Sequence, residues 1–301
     1  MARAKANGIE LTYDTFGDPR HPAILLIGGV GTQMIFWEPA FCEALAAGRY
    51  RVIRFDNRDT GESTKFDEAG IPDLSILLEA YPREAEVSVP YTLDDMADDA
   101  AGLLDALGIE RAHIVGLSMG GMIAQCFVLR HPRRARSLVS IMSTTGSRAL
   151  PPGKPEAVEG LFRPMPTERE AYIEESLAVL RSFAGGGFPF DEEYHRRRAA
   201  AAYDRAFYPP GFVRQFAAIL AAPDRSKRLE KISTPTLVIH GDVDPLIPVE
   251  HGIATARVIP KARLRIIEGL GHELPPPVWE KVIGAMHAFF AQSDSAEETA
   301  Q

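Results

Sequence analysis

The chain has 301 residues, 46 % of them hydrophobic and 25 % charged, an ordinary globular composition for a length that supports a sizeable core. A formal net charge of −8 argues against nucleic acid as a partner, because phosphate contacts need clustered Lys and Arg, and the basic run Arg196-Arg197-Arg198 is short and reads as a solvated helix face. Two cysteines, Cys42 and Cys126, are too few for a disulfide framework and read as buried free thiols, and no apolar stretch approaches the ~20 residues that span a bilayer, so no membrane partner is expected. Residues 1–8 are partly basic but lack the apolar run of a signal peptide, which makes a cytoplasmic protein the expectation.

In chain order, Ile9 to Phe16 alternates in polarity and ends at Gly17-Asp18-Pro19, a strand and a turn. Ala23 to Ile27 is a short apolar run closed by Gly28-Gly29, as expected of a strand buried on both faces, and Arg51 to Phe55 is a third strand. Thr92 to Leu107 reads as a helix with Leu93, Met96, Ala100, Leu103, Leu104 and Leu107 on one face, a capping-box-like start at Thr92 and Asp95, and a stop at Gly108. His113 to Leu117, Ser137 to Met142, Thr236 to His240 and Leu264 to Ile267 read as strands, and Gly120 to Arg130 and Val278 to Phe290 as helices. The alternation predicts an α/β fold with a mostly parallel central sheet flanked by helices. Between residues 147 and 233 the pattern breaks. Three helix-like stretches, Glu168 to Phe183, Asp191 to Phe207 and Phe212 to Ala222, occur without a strand and are rich in aromatics. The expected organisation is a core of residues 1–146 and 234–291, a helical cap insertion over 147–233, and a disordered polar tail over 292–301. Gly185-Gly186-Gly187, inside the insertion, is a candidate hinge.

Gly116-Leu117-Ser118-Met119-Gly120 stands where a strand meets a helix. A nucleophile at such a junction must clear the sheet on a tight turn, and glycines on both sides of Ser118 make room for the backbone. A serine hydroxyl needs a base to take its proton, and the base needs an orienting carboxylate. Of the eight histidines, His272 in Glu268-Gly269-Leu270-Gly271-His272 is best placed, on a glycine-rich loop after a strand; His240 is its main competitor. The acid should lie between Ser118 and His272 at a strand end, where Gly241-Asp242-Val243-Asp244-Pro245 offers two aspartates; Asp244 is favoured, Asp242 being able to cap the turn instead. The oxyanion of an acyl-transfer intermediate needs two preset donors. Met119 supplies one backbone N–H, and the loop Gly28-Gly29-Val30-Gly31 the other, with Val30 preferred to Gly29. Met34, Phe36 and Trp37 follow this loop and either line a substrate pocket, together with Gly29, or begin a packed helix.

The order of oxyanion glycines, elbow serine, aspartate and histidine resembles the α/β-hydrolase superfamily over nearly the whole chain. Asp56-Asn57-Arg58-Asp59-Thr60-Gly61-Glu62-Ser63 is similar to that family's structural Asp-x-Arg-x-x-Gly-x-Ser turn. Arg54 to Gly61, Val115 to Gly120 and Gly269-Leu270-Gly271-His272-Glu273-Leu274-Pro275 resemble the motifs of aclacinomycin methylesterase-type bacterial carboxylesterases. Gly28-Gly29 stands where many relatives have His-Gly. The resemblance implies a Ser118, Asp244 and His272 triad, a helical cap and cleavage of a small-molecule ester through an acyl-enzyme, without cofactor or metal. The aromatic insertion suggests small to medium, apolar or aromatic esters. Lactonase, C–C hydrolase and cofactor-free perhydrolase chemistry use the same triad. Epoxide hydrolase and dehalogenase activity is disfavoured by serine at the elbow, and nothing in the sequence favours a non-enzymatic small-molecule receptor.

Overall fold

Strands that are apolar at every position need cover on both faces, and the sheet is built to supply it. The computed structural model describes residues 1–81 and 87–300, the last five as backbone only. Its strands are β1 (Ala2–Ala6), β2 (Ile9–Phe16), β3 (Ala23–Ile27), β4 (Arg51–Phe55), β5 (Ala112–Leu117), β6 (Ala135–Ile141), β7 (Thr236–Gly241) and β8 (Arg263–Ile267). They form one sheet in the order β1-β2-β4-β3-β5-β6-β7-β8. β1 and β2 join antiparallel, and every pairing from β4 to β8 is parallel.

Side chains of a strand alternate between the sheet faces. Leu25 and Ile27 of β3 therefore enter one core, while Ile24 and Leu26 enter the other. The first core is closed by α3 (Leu93–Ala106) and α4 (Met119–Arg130), the second by α1 (Pro39–Ala46) and α11 (Trp279–Ala300). The α3 start is a complete capping box: the Thr92 hydroxyl accepts from Asp95 N–H and the Asp95 carboxylate accepts from Thr92 N–H. Cys42 and Cys126 are buried free thiols, and burial pushes both up to about 12.

β3 is flanked by β4 on one side and β5 on the other, so the sheet order reverses between β3 and β5. In open parallel sheets, ligands gather beyond the strand C-termini at such a reversal. The Gly28–Gly31 loop follows β3 and Ser118 follows β5.

Between β6 and β7 run α5 (Pro155–Leu161), α6 (Arg169–Phe183), α7 (Glu192–Ala206), α8 (Pro209–Ala221) and the short α9 (Ser226–Leu229). α2 (Leu74–Ala80) packs on α8, and α10 (Val249–Val258) lies between β7 and β8. Two buried ion pairs fasten the inserted helices to the turn after β4. Arg205 of α7 donates to Asp56 at 2.6 Å, and Arg214 of α8 pairs bidentately with Asp59 at 2.8 and 2.9 Å. Asp56 also accepts from the amides of Met34 and Glu62, and Asp59 from Phe66 N–H and Tyr91 O–H.

Both ends of the chain carry regular structure that the sequence did not signal. The polar stretch expected as a disordered tail over 292–301 is helical over its described residues, α11 running to Ala300, and residue 301 lies outside the described residues. Ala, Glu and Gln are strong helix formers despite their polarity, and Asp294 ties the helix back to Tyr50 O–H at 3.2 Å. The N-terminal residues form β1, whose short alternating pattern of small and basic side chains carried no strand signal.

Candidate active site

Ser118 occupies the turn between β5 and α4 with φ 56° and ψ −121°. This conformation is costly for a residue with a side chain, so its surroundings must hold it. A β-carbon at residue 116 would lie 2.0 Å from the Gly120 carbonyl oxygen, and one at residue 120 would lie 2.2 Å from that of Ile27. The two glycines are therefore required by backbone crossing backbone. Ser118 N–H donates to Ile141 O at 2.9 Å and Ser143 O–H donates to Ser118 O at 2.8 Å, which anchor the turn to β6 and the loop after it. Serine before a helix ordinarily caps an amide of the first turn; Ser118 makes no such bond, and its hydroxyl lies 3.0 Å from His272 Nε2.

His272 Nδ1 lies 2.8 Å from Asp244 Oδ2. The other oxygen, Asp244 Oδ1, accepts from the amides of Leu246 and Ile247 at 2.9 and 2.8 Å. Burial alone would raise the Asp244 carboxyl, but the His272 charge and hydrogen bonds from His240 and His272 outweigh it and hold the group well below the usual carboxylate range. Asp242 takes a different place: it is exposed and accepts from Gly269 N–H at 2.7 Å, bracing the start of the His272 loop. His240 is fully buried, with Nε2 2.8 Å from Ile247 O and 3.5 Å from Asp244 Oδ2, and has no bond to Ser118 among the described residues. The structure thus brings Ser118, His272 and Asp244 into one hydrogen-bonded line and leaves Asp242 and His240 off it.

The Met119 amide opens α4 beside Ser118, and a β-carbon at Gly29 would come within 3.5 Å of the Ser118 β-carbon, so the glycine loop passes against Ser118. Asn57 donates to Gly28 O at 3.2 Å, Thr32 O–H to Gly29 O at 2.9 Å, and Gly31 N–H to Gln215 Oε1 at 2.7 Å. Neither the Val30 nor the Met119 amide has a hydrogen-bond partner among the described residues. Among those residues, no group of three His, Cys, Asp or Glu side chains is placed to hold a metal ion. No helix described is long and apolar enough to cross a membrane.

A cavity of about 760 Å³ lies between the 31–38 segment, the Asp59–Gly61 turn and the inserted helices. Phe162, Tyr172, Phe207 and Phe212 are among its walls, as are Gly31 and Thr32. Ser118 adjoins it through the glycine loop, and neither Ser118 nor His272 lines it. Gly29, Met34 and Trp37 do not line it either, and Met34 and Trp37 take the packed alternative. Both are fully buried, and Trp37 packs on Phe41, 5.5 Å between ring centroids. Their neighbours Gln33, Ile35 and Phe36 face the cavity instead, as the short helical turn Met34–Phe36 dictates.

The inserted helices also reach His272. Its N–H donates to Phe183 O at 2.8 Å, and Gly187 N–H donates to Gly269 O at 3.0 Å. A β-carbon at residue 271 would lie 2.2 Å from Gly185 N, so the triple glycine, read as a hinge, is a close backbone contact with the His272 loop. Glu273 is buried at this contact, and burial raises its carboxyl against the opposing effect of the Gly185 amide. Sequence reasoning missed Phe183, Glu273 and Gln215; a polar residue between Phe212 and Phe216 on a buried helix face was the available signal for the last.

The α/β-hydrolase fold family matches residues 22–275. The chain is 32 % identical over 304 residues to rhodomycin D methylesterase DauP of Streptomyces sp. strain C5, covering 93 % of this chain and 94 % of that protein. It is 34 % identical over 262 residues to the 2-hydroxy-6-oxononadienedioate/2-hydroxy-6-oxononatrienedioate hydrolase of Burkholderia vietnamiensis, covering 83 % and 80 %. Its fold is similar to that of the meta-cleavage product hydrolase of Pseudomonas fluorescens IP01, with TM-score 0.74, 21 % identity and coverage of 97 % and 98 %. With a family match across most of its length, this chain belongs to the α/β-hydrolase fold family.

Proposed function

We propose that the protein is a serine carboxylesterase. Ser118 attacks the ester carbonyl as His272 takes the hydroxyl proton, and the tetrahedral oxyanion is held by the Met119 and Val30 amides. Collapse expels the alcohol, which receives the proton from His272. Water then attacks the acyl-Ser118 ester, again with His272 as base, and releases the acid and the free serine. Asp244 keeps the imidazole oriented and stabilises its cation. The observation that carries this reading is the continuous 3.0 Å and 2.8 Å relay from Ser118 through His272 to Asp244 at the sheet's reversal point. The inserted helices serve as the cap, and their aromatic cavity takes the apolar part of the ester, a volume within the roughly 300–1,000 Å³ of ligand pockets. The likeness to a methylesterase over 93 % of the chain supports a small alcohol group leaving from a larger acid.

A panel of chromogenic esters of graded chain length, with matched methyl esters of aromatic acids, tests the proposal on wild type and Ser118→Ala. Hydrolysis by wild type and its loss in Ser118→Ala are expected. Inactivity of wild type on every ester, or full activity of the variant, overturns it. The likeness to a 2-hydroxy-6-oxo-dienoate hydrolase supports C–C bond hydrolysis as a second reading. A vinylogous 1,5-diketone in the same panel separates the two: cleavage faster than that of every ester favours the second.

A further inference from the structure

The glycine loop that carries Val30 is not held by the sheet core alone. Gln215 of α8 is fully buried, and each half of its amide has a committed partner. Oε1 accepts the Gly31 N–H at 2.7 Å, while Nε2 donates to Arg58 O at 2.7 Å and to Thr60 Oγ1 at 2.6 Å. The orientation of the amide is fixed by its partners, because Gly31 N–H can only donate and Arg58 O can only accept. One helical turn earlier on the same face, Phe212 packs on the same glycine: a β-carbon at residue 31 would lie 3.0 Å from the Phe212 ring. Gly31 has φ +65°, a conformation that favours glycine, and a glycine turn has little stiffness of its own. Two side chains of one inserted helix therefore clamp the residue next to Val30, and Gln215 bridges that clamp to the turn after β4.

We propose that Gln215 is a positioning residue for the reaction. By engaging the Gly31 amide and tying it to Arg58 and Thr60, it directs the neighbouring Val30 N–H toward the oxyanion formed at Ser118. This inference rests on the proposed esterase reading and goes beyond it. It makes the inserted helices part of the machinery that stabilises the transition state, in addition to walling the cavity. It also removes the Gly31 amide from the set of oxyanion donors, since that hydrogen is already taken. Misplacement of a reacting or stabilising group by about 1 Å can cost on the order of a hundredfold in rate. A loop released from Gln215 should therefore lose turnover with little change in substrate affinity.

The test compares wild type, Gln215→Met and Arg205→Gln in steady-state ester hydrolysis, in binding of an aryl trifluoromethyl ketone and in thermal melting. The ketone carbonyl takes up Ser118 Oγ to give a tetrahedral oxyanion, so its affinity reads the oxyanion site directly. Arg205→Gln loosens α7 from Asp56 without touching the glycine loop and controls for general slackening of the insertion. Gln215→Met should lower kcat about ten- to a hundredfold, weaken the ketone by a similar factor and leave KM within about threefold. Arg205→Gln should lower the melting temperature yet keep kcat and ketone affinity within about twofold. The proposal is overturned if Gln215→Met changes kcat and ketone binding no more than Arg205→Gln does, or if the loss lies in KM alone. Should Gln215→Met not fold, Gln215→Asn, whose amide falls one methylene short of Gly31, enters the same comparison. Failure of the underlying reading has another signature: wild type itself then neither cleaves esters nor binds the ketone, which overturns both.

Discussion

At Ser118 the backbone angles of φ 56° and ψ −121° are imposed by the crossing of Gly116 and Gly120 with their neighbours, and the side chain contributes nothing to holding them. A non-glycine residue in such a region costs about 1–3 kcal/mol, and glycine gives back part of the relief through its freer unfolded chain. Ser118→Gly should therefore resist urea better than Ser118→Ala by about 1 kcal/mol, measured by equilibrium unfolding. The two aspartates after β7 should separate sharply in kinetics. Asp244→Asn removes the anion facing the imidazole and should lower kcat by about 10⁴. Asp242→Asn keeps an oxygen for the Gly269 amide and should cost less than about tenfold; steady-state rates on one ester check both. Ser118 and His272 were legible in the sequence because glycines mark their loops. Asp244 was legible only as one of two, since the amides of Leu246 and Ile247 that fix its rotamer come from a turn that local sequence does not specify. Met34 and Trp37 stayed open between pocket wall and packed helix in the sequence, because a single helical turn decides which of five neighbours face inward.

The core strands were legible as apolar runs, and α3 by its period and its capping box. The short α5, α9 and α10 were not, having too few turns to set a pattern against their neighbours. The docking of the inserted helices was equally hidden, because it depends on ion pairs between residues far apart in the chain. Arg214 and Asp59 are both buried, so removing one partner leaves an uncompensated charge. Arg214→Met should destabilise by about 3–5 kcal/mol, and the double variant with Asp59→Asn should recover part of this, Asn being tolerant of the φ of +65° at that position; denaturant midpoints decide. α7 adds a pH response. His195 is stacked on Phe190 at 4.4 Å, and burial first, then the Arg198 charge, lowers it to about 4. It is neutral in the folded protein while the unfolded chain takes up a proton near 6.5, so acidification from about 6.5 toward 4 favours unfolding. Thermal melts across that range should show a steeper decline for wild type than for His195→Phe; parallel curves would show that the imidazole does not contribute.

For the molecule as a whole, the candidate-site groups come from loops after β3, β5, β7 and β8, at one end of a sheet whose order reverses between β3 and β5. The inserted helices meet this end in two unlike ways. Against the cavity they present side chains; against the His272 loop they present mostly backbone, with Gly185 and Gly187 on Gly269 and Gly271 and the Phe183 ring edge-on to that of His272 at 6.0 Å. Gly271→Ala would press a methyl group into Gly185 N and Phe183 O, at 2.2 and 2.3 Å, and so disturb the carbonyl that holds the His272 amide. The variant should lose about 1–3 kcal/mol of stability and more than tenfold in kcat, read from melts and ester hydrolysis on the same preparation. Wild-type turnover in it would show that the loop and the insertion part without moving the base. The glycine contact also bears on how such a protein can diversify. A contact made largely of main chain offers little for mutation to adjust in small steps, so the part of the insertion that touches the His272 loop leaves little room for gradual change. The cavity walls on α6 and α7 are side chains that stand apart from Ser118 and His272, so on the proposed reading exchanging them alters what is bound without disturbing the groups that react. New substrate preferences can accordingly arise one residue at a time on one side of the insertion, while the other side holds the chemistry constant.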